Sequence, residues 1–218
     1  NFAANDEIVI RFRLLTDQLV VGWGWAIDNL KIQIDDIPPV ILHNHSDFLT
    51  LTTPTLTLPM KVTDAAGIDA LEVDYKINSG AVITEAITVV DGTDLYTVEI
   101  SFGGLAATDK IEYRIRAKDK SGNETTLPDG TFFQVPVVNF GAPIAQYSTD
   151  FNSGTGDFVG NFFSITQPSG FTNAAIQSTH PYPNGFGLTS NTSNYTYTLT
   201  KPITISSSNP YMIFDEIA

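Results

Sequence analysis

The feature that most constrains this chain is the way turn residues punctuate positions 38 to 138. Gly67, Ser79-Gly80, Asp91-Gly92, Gly103-Gly104, Ser121-Gly122 and Asp129-Gly130 break the sequence into short runs rich in Val, Ile, Thr, Tyr and Phe. Such a chain has no room for long helices and makes strands joined by tight turns. The runs fall near 39–45, 55–63, 69–77, 81–89, 94–101, 110–118 and 130–137. Alternation then assigns their faces, because successive strand side chains point to opposite sides. In the run from Ile111 to Ala117, Ile111, Tyr113, Ile115 and Ala117 point inward, while Glu112, Arg114 and Arg116 face water. Leu71-Glu72-Val73-Asp74-Tyr75-Lys76-Ile77 alternates in the same way.

About seven strands in about 100 residues is the count of an immunoglobulin-like sandwich. It is bounded upstream by the acidic linker Asp35-Asp36-Ile37-Pro38-Pro39, since a Pro-Pro pair cannot continue a ladder. The flanks differ in composition. Ahead of the linker lie strand candidates Ile8–Leu14 and Trp25–Ile34. Beyond Asn139 the only charged residues are Asp150, Asp157, Lys201, Asp215 and Glu216, among Asn, Ser, Thr, Gly and aromatics. Strand candidates there are Ile144–Phe151, Phe158–Thr166, Gly185–Thr189, Tyr195–Leu199 and Tyr211–Ile217. The expected organisation is three β units at 1–36, 37–138 and 139–218, the outer two incomplete, with both ends reading as cuts from a longer polypeptide.

Charge and cysteine narrow the function. Twenty-four acids against eleven Lys and Arg give a net charge of −13, which argues against a nucleic-acid partner, because phosphate contacts need clustered cations. No run approaches the roughly 18 apolar residues of a membrane span. The absence of cysteine removes disulfides, thiolate metal sites and a cysteine nucleophile. No His-Glu-x-x-His, Gly-x-Ser-x-Gly or phosphate-cradling glycine loop is present, so no active site is visible.

Several segments resemble known modules. Ile10-Arg11-Phe12-Arg13-Leu14, Asp17 and the run Gly22-Trp23-Gly24-Trp25-Ala26-Ile27-Asp28-Asn29-Leu30 resemble the closing strands of MAM-like jelly rolls. Such modules occur in immune inhibitor A-type metallopeptidases and other multidomain secreted bacterial proteins. The opening of the same module type is similar to Tyr147-Ser148-Thr149-Asp150-Phe151-Asn152-Ser153-Gly154. Its middle resembles Leu199–Ser206 followed by Tyr211–Phe214. Residues 38–137 resemble fibronectin type III or bacterial immunoglobulin-like spacers, with Tyr113-x-Ile115-x-Ala117-x-Asp119-x-Ser121-Gly122-Asn123 as signature. The resemblance implies an all-β chain: an immunoglobulin/fibronectin type III-like sandwich flanked by partial jelly-roll sandwich modules, in the style of surface proteins exported by the type IX route.

In the resembled jelly rolls acidic residues near the first and last strands hold Ca²⁺, a hard cation taking six to eight oxygens. Asp28 matches the closing position and Asp150 the opening one, each against the plainer reading of a capped bend or turn. His43, His45 and Asp47 share one face of an extended segment and could chelate a metal, or be solvated polar residues at a strand end. Asp119-Lys120-Ser121-Gly122-Asn123-Glu124 is a partial calcium-loop pattern that reads better as a hairpin turn, as do Asp64 and Asp69 around Gly67. Trp23 and Tyr195 lead a set of aromatics, with Trp25, Tyr182, Phe186 and Tyr197, that could stack on sugars. The leading expectation is a non-catalytic structural or adhesive segment of a large secreted or cell-surface protein. Its partners would be other modules of the same polypeptide or neighbouring copies, and surface glycans or proteins. The alternatives are an accessory region of a secreted peptidase and a carbohydrate-binding module.

Overall fold

The computed structural model describes residues 6–15, 24–30, 34–153, 156–160, 162–178, 195–206 and 209–216. All regular structure among them is β, as the sequence requires. Nine strands occupy the central span: β1 (Val40–His43), β2 (Leu49–Thr50), β3 (Thr55–Thr63), β4 (Ile68–Ile77), β5 (Ile83–Ile87), β6 (Leu95–Ser101), β7 (Lys110–Asp119), β8 (Glu124–Leu127) and β9 (Phe133–Val138). They form two sheets. One has the order β1-β3-β6; the other runs β2-β9-β7-β4-β5, with β8 pairing the far half of β7.

One core fills the space between the sheets. Leu56, Leu58, Met60 and Val62 of β3 meet Leu71 and Val73 of β4, Ile111, Tyr113, Ile115 and Ala117 of β7, and Val135 and Val137 of β9. The expected inward residues of β7 are therefore all core. The outward residues are a correction. Glu112 is 7% exposed and Asp74 1% exposed, although their neighbours on the same face reach solvent. Glu112 turns back to accept hydrogen bonds from the Ser79 amide and hydroxyl, at 3.0 Å each, and so holds the β4–β5 turn. There Asn78 and Ser79 both take positive φ (51° and 60°), as in a type I′ turn, which the Gly80 amide closes by donating to the Ile77 carbonyl at 2.9 Å. Asp74 is roofed by Arg114 and Arg116, which donate to it at 2.9 and 2.8 Å. Thr84 Oγ1 adds a third donor at 2.7 Å.

The chain enters and leaves this sandwich at opposite poles. Val40 pairs with Thr63, and Ile68 with Asp119, so β1 begins beside the β3–β4 turn and the β7–β8 hairpin. At the other end Lys110 pairs with Pro136, so β9 runs out past the start of β7.

The flanks carry far less regular structure. Residues 6–15 and 24–30 form no ladder, so the strands expected at Ile8–Leu14 and Trp25–Ile34 are not seen among the described residues. A strand exists through its partner's hydrogen bonds, and alternation alone supplies none. Downstream, β10 (Phe158–Gly160) pairs with β13 (Tyr197–Leu199), and β11 (Phe163–Thr166) with β12 (Ala175–Ser178). The single strand expected over 158–166 is split, with Gly160 (φ 153°) and Phe162 (φ 63°) flanking the break. A Cβ at Gly160 would collide with the Thr196 carbonyl oxygen, so only glycine fits there. Among the described residues, the strand expected at 144–151 shows only a bridge from Ile144 to Ile203, and residues 211–216 form no ladder. The strand expected at 185–189 lies outside the described residues.

Candidate functional site

Three turns meet at the pole where the linker arrives. Asp64 follows β3, and its Oδ1 accepts the Ala66 amide at 2.7 Å in the turn that Gly67 (φ 85°) completes. Asp119 ends β7; its Oδ1 accepts the amides of Ser121 and Asn123, both at 2.8 Å, and its Oδ2 accepts Asn123 Nδ2 at 2.7 Å. Asp35 comes from the linker. Its backbone carbonyl accepts Asn123 Nδ2 at 3.1 Å, and four residues on the Pro39 carbonyl accepts Thr125 Oγ1 at 2.6 Å. The linker is thus strapped along the β7–β8 hairpin.

One carboxylate oxygen from each of Asp35, Asp64 and Asp119 lies within 4.8 Å of the others. Asp119 is 1% exposed and the other two are half-buried. Asp35 Oδ1 accepts the Ile37 amide at 3.2 Å, while Asp35 Oδ2 is buried and accepts no hydrogen bond. The nearby cation is committed elsewhere: Lys120 Nζ sits 3.0 Å from Asp91. The charges respond accordingly. Burial pushes the Asp64 carboxyl up, with Asp35 and Asp119 adding to it against hydrogen bonds from Ala66 and Gly67. Burial also opposes ionisation of Asp119, but its hydrogen bonds from Asn123, Ser121 and Gly122 hold it below the usual carboxylate range.

The other candidates are placed differently. Asp28 is exposed, with its Oδ1 on the Asn29 amide at 2.7 Å. Asp150 caps a turn through the Asn152 amide at 3.0 Å, which holds its carboxyl low. It opens with Asp157, Tyr147 and Ser153 onto a cleft of about 740 Å³. There Asp157 pairs with Lys201 at 2.6 Å. Neither Asp28 nor Asp150 joins two further carboxylates among the described residues. Tyr195 packs against Phe162, ring centroids 4.6 Å apart, and Trp23 lies outside the described residues.

His43, His45 and Asp47 form no chelating set either. His43 is 1% exposed inside the core, its Nδ1 donating to the Pro59 carbonyl at 2.8 Å. That leaves Nε2 to accept from the Tyr113 hydroxyl at 2.6 Å, so the ring is neutral with its proton on Nδ1. Burial lowers its pKa to about 4, against the help of Pro59 and with a further push from His45. His45 stacks on Tyr113 and tilts against Phe133.

Sequence reasoning weighed Asp64 and Asp119 separately as turns and read Asp35 as linker. The missing signal was topological. Asp64-x-x-Gly67 and Asp119-x-x-Gly122 are two Asp-to-Gly turns that the strand order puts at the pole where Asp35 arrives. Comparison with known proteins adds little. No family model and no curated protein matches the chain. Among solved structures it is similar to a carbohydrate-binding module, the bromine derivative of BhCBM56, at 21% identity, covering 38% of this chain and 78% of that one with a TM-score of 0.26. That likeness is too slight to carry a fold or a ligand across.

Proposed function

We propose that the chain is a non-catalytic spacing and presenting segment of a large secreted or cell-surface protein, with an immunoglobulin/fibronectin type III-like sandwich as its rigid unit. The observation that carries this reading is the pole-to-pole path of the chain. A module that admits its linker at one end and releases the next at the other adds its length to whatever it joins. The ten residues of β7 give a unit about 30 Å long at about 3.3 Å per residue. The strap from Asn123 and Thr125 onto the linker supports the same reading, because it fixes the incoming chain against the sandwich. The acidic surface, net −13, favours solubility and discourages self-association.

The test is a screen for the competing roles. Passed over immobilised polysaccharides and incubated with casein and gelatin, the chain is expected to show neither retention nor cleavage. Retention lost on Tyr195→Ala would replace this reading with carbohydrate binding, and turnover of either protein substrate would replace it with a peptidase role.

A further inference from the structure

We infer that Asp35, Asp64 and Asp119 form a binding site for a divalent cation of the calcium class, which locks the linker onto the pole of the sandwich. The inference deepens the spacer reading and rests on it for its purpose, since a cation there would stiffen the joint on which spacing depends.

The chemistry comes from three observations. The donors are all carboxylate oxygens, which suit hard cations rather than the softer metals that prefer imidazole or thiolate. Their mutual spacing, within 4.8 Å, is compatible with one ion, because two ligands on calcium can lie up to about 4.6–5.2 Å apart at metal–oxygen distances of 2.3–2.6 Å. Asp35 Oδ2 is buried and accepts no hydrogen bond, and the carboxylate that carries it belongs to this three-aspartate group. A buried carboxylate oxygen without a donor is costly, and a cation is the partner that would satisfy it and offset the crowded charge. Calcium is preferred over magnesium because magnesium gives up its water reluctantly and avoids all-protein cages.

The arrangement also explains a division of labour. Asp119 is preorganised by hydrogen bonds from its own hairpin, and Asp64 by those of its turn. Both can wait in place without the linker. Asp35 is the mobile partner in sequence terms, 84 positions from Asp119, and brings its oxygen only when the linker docks. Cation binding would therefore reinforce the docking that Asn123 and Thr125 already provide.

Isothermal titration of CaCl₂ into the whole chain, first stripped with EDTA, tests this. One strong site is expected, weakened at least tenfold in Asp35→Asn and unchanged in Asp28→Asn and Asp150→Asn. Asp35→Asn keeps an oxygen that can accept the Ile37 amide and loses only the charge and the unpartnered oxygen, whereas both Asp119 oxygens accept hydrogen bonds, so Asp119→Asn endangers the hairpin. A backbone NMR titration of the wild-type chain gives a second readout that needs no variant: CaCl₂ should shift the amides of Ile37, Ala66, Ser121 and Asn123 first. No binding heat, equal affinity in Asp35→Asn, or shifts centred on Asp28 or Asp150 would each overturn the inference. None of those results would touch the spacer reading, because the pole-to-pole path is set by the strand order and not by the ion.

Discussion

Replacing His43 by Asn exposes how the core handles acid. The native ring is neutral, donating to Pro59 and accepting from Tyr113. Its folded pKa of about 4 lies below the 6.5 of a free imidazole, chiefly because burial penalises the charge. Between those two values the unfolded chain binds a proton that the folded chain refuses. The stability His43 contributes is thus fully present above pH 6.5 and is lost as pH falls towards 4. At about 1.4 kcal/mol per pH unit the loss is about 3 kcal/mol, a large share of the ~5–15 kcal/mol that holds a domain together. Asn keeps the donor to Pro59 and does not titrate. It leaves the Tyr113 hydroxyl short of its partner, at about 1–3 kcal/mol. The variant should therefore be the weaker protein at pH 7.5 and draw level with the wild type near pH 4. Urea unfolding followed by circular dichroism at half-unit pH steps measures the gap. His45, whose pKa burial also lowers, and the low-titrating carboxylates are common to both chains and cancel in the difference. Parallel pH profiles for the two proteins, with a constant gap from pH 7.5 to 4, would refute the buried neutral imidazole.

Two further substitutions probe the sandwich. Asp74→Asn removes the charge that faces Arg114 and Arg116; because both guanidinium groups are about one-third exposed, the cost should be about 2 kcal/mol, below the 3–5 of a fully buried pair. Burial would push the Asp74 carboxyl up, but Arg116, Thr84 and Arg114 hold it at about 2; its contribution is therefore present above the ordinary carboxylate range and fades as pH falls to 2, where wild type and variant should melt together in a thermal-shift assay. Leu58→Ala empties a site with 0% exposure between the sheets, and should lower the unfolding free energy by 2–5 kcal/mol, about the range for such cavities, in chemical denaturation.

The central strands were legible because alternation and turn residues agree there. Leu56, Leu58, Met60 and Val62 repeat at period two between a Pro-containing loop and an Asp-to-Gly turn, and no other face of that strand could be buried. Glu112 and Asp74 were not legible, because a charged residue on an outward face is buried by what crosses over it, and that depends on Ser79, Arg114 and Arg116 being brought near by pairing. The two-residue β2 and the short β8 carry too few residues to show a period. On the flanks the alternating runs at 8–14 and 211–216 have the pattern of strands but pair with no partner among the described residues. The acidic site was half legible: each aspartate announces a turn, but only the sandwich topology shows that the three turns share a pole.

The most direct measurement is the distance across the sandwich. The chain has no cysteine, so Asp36→Cys and Asn139→Cys give two clean attachment points for spin labels, one on each linker. Double electron–electron resonance should return a single narrow distance of about 30–40 Å, the length of β7 at about 3.3 Å per residue plus the label arms. A distance below about 20 Å would place both linkers at one pole and contradict the spacer reading.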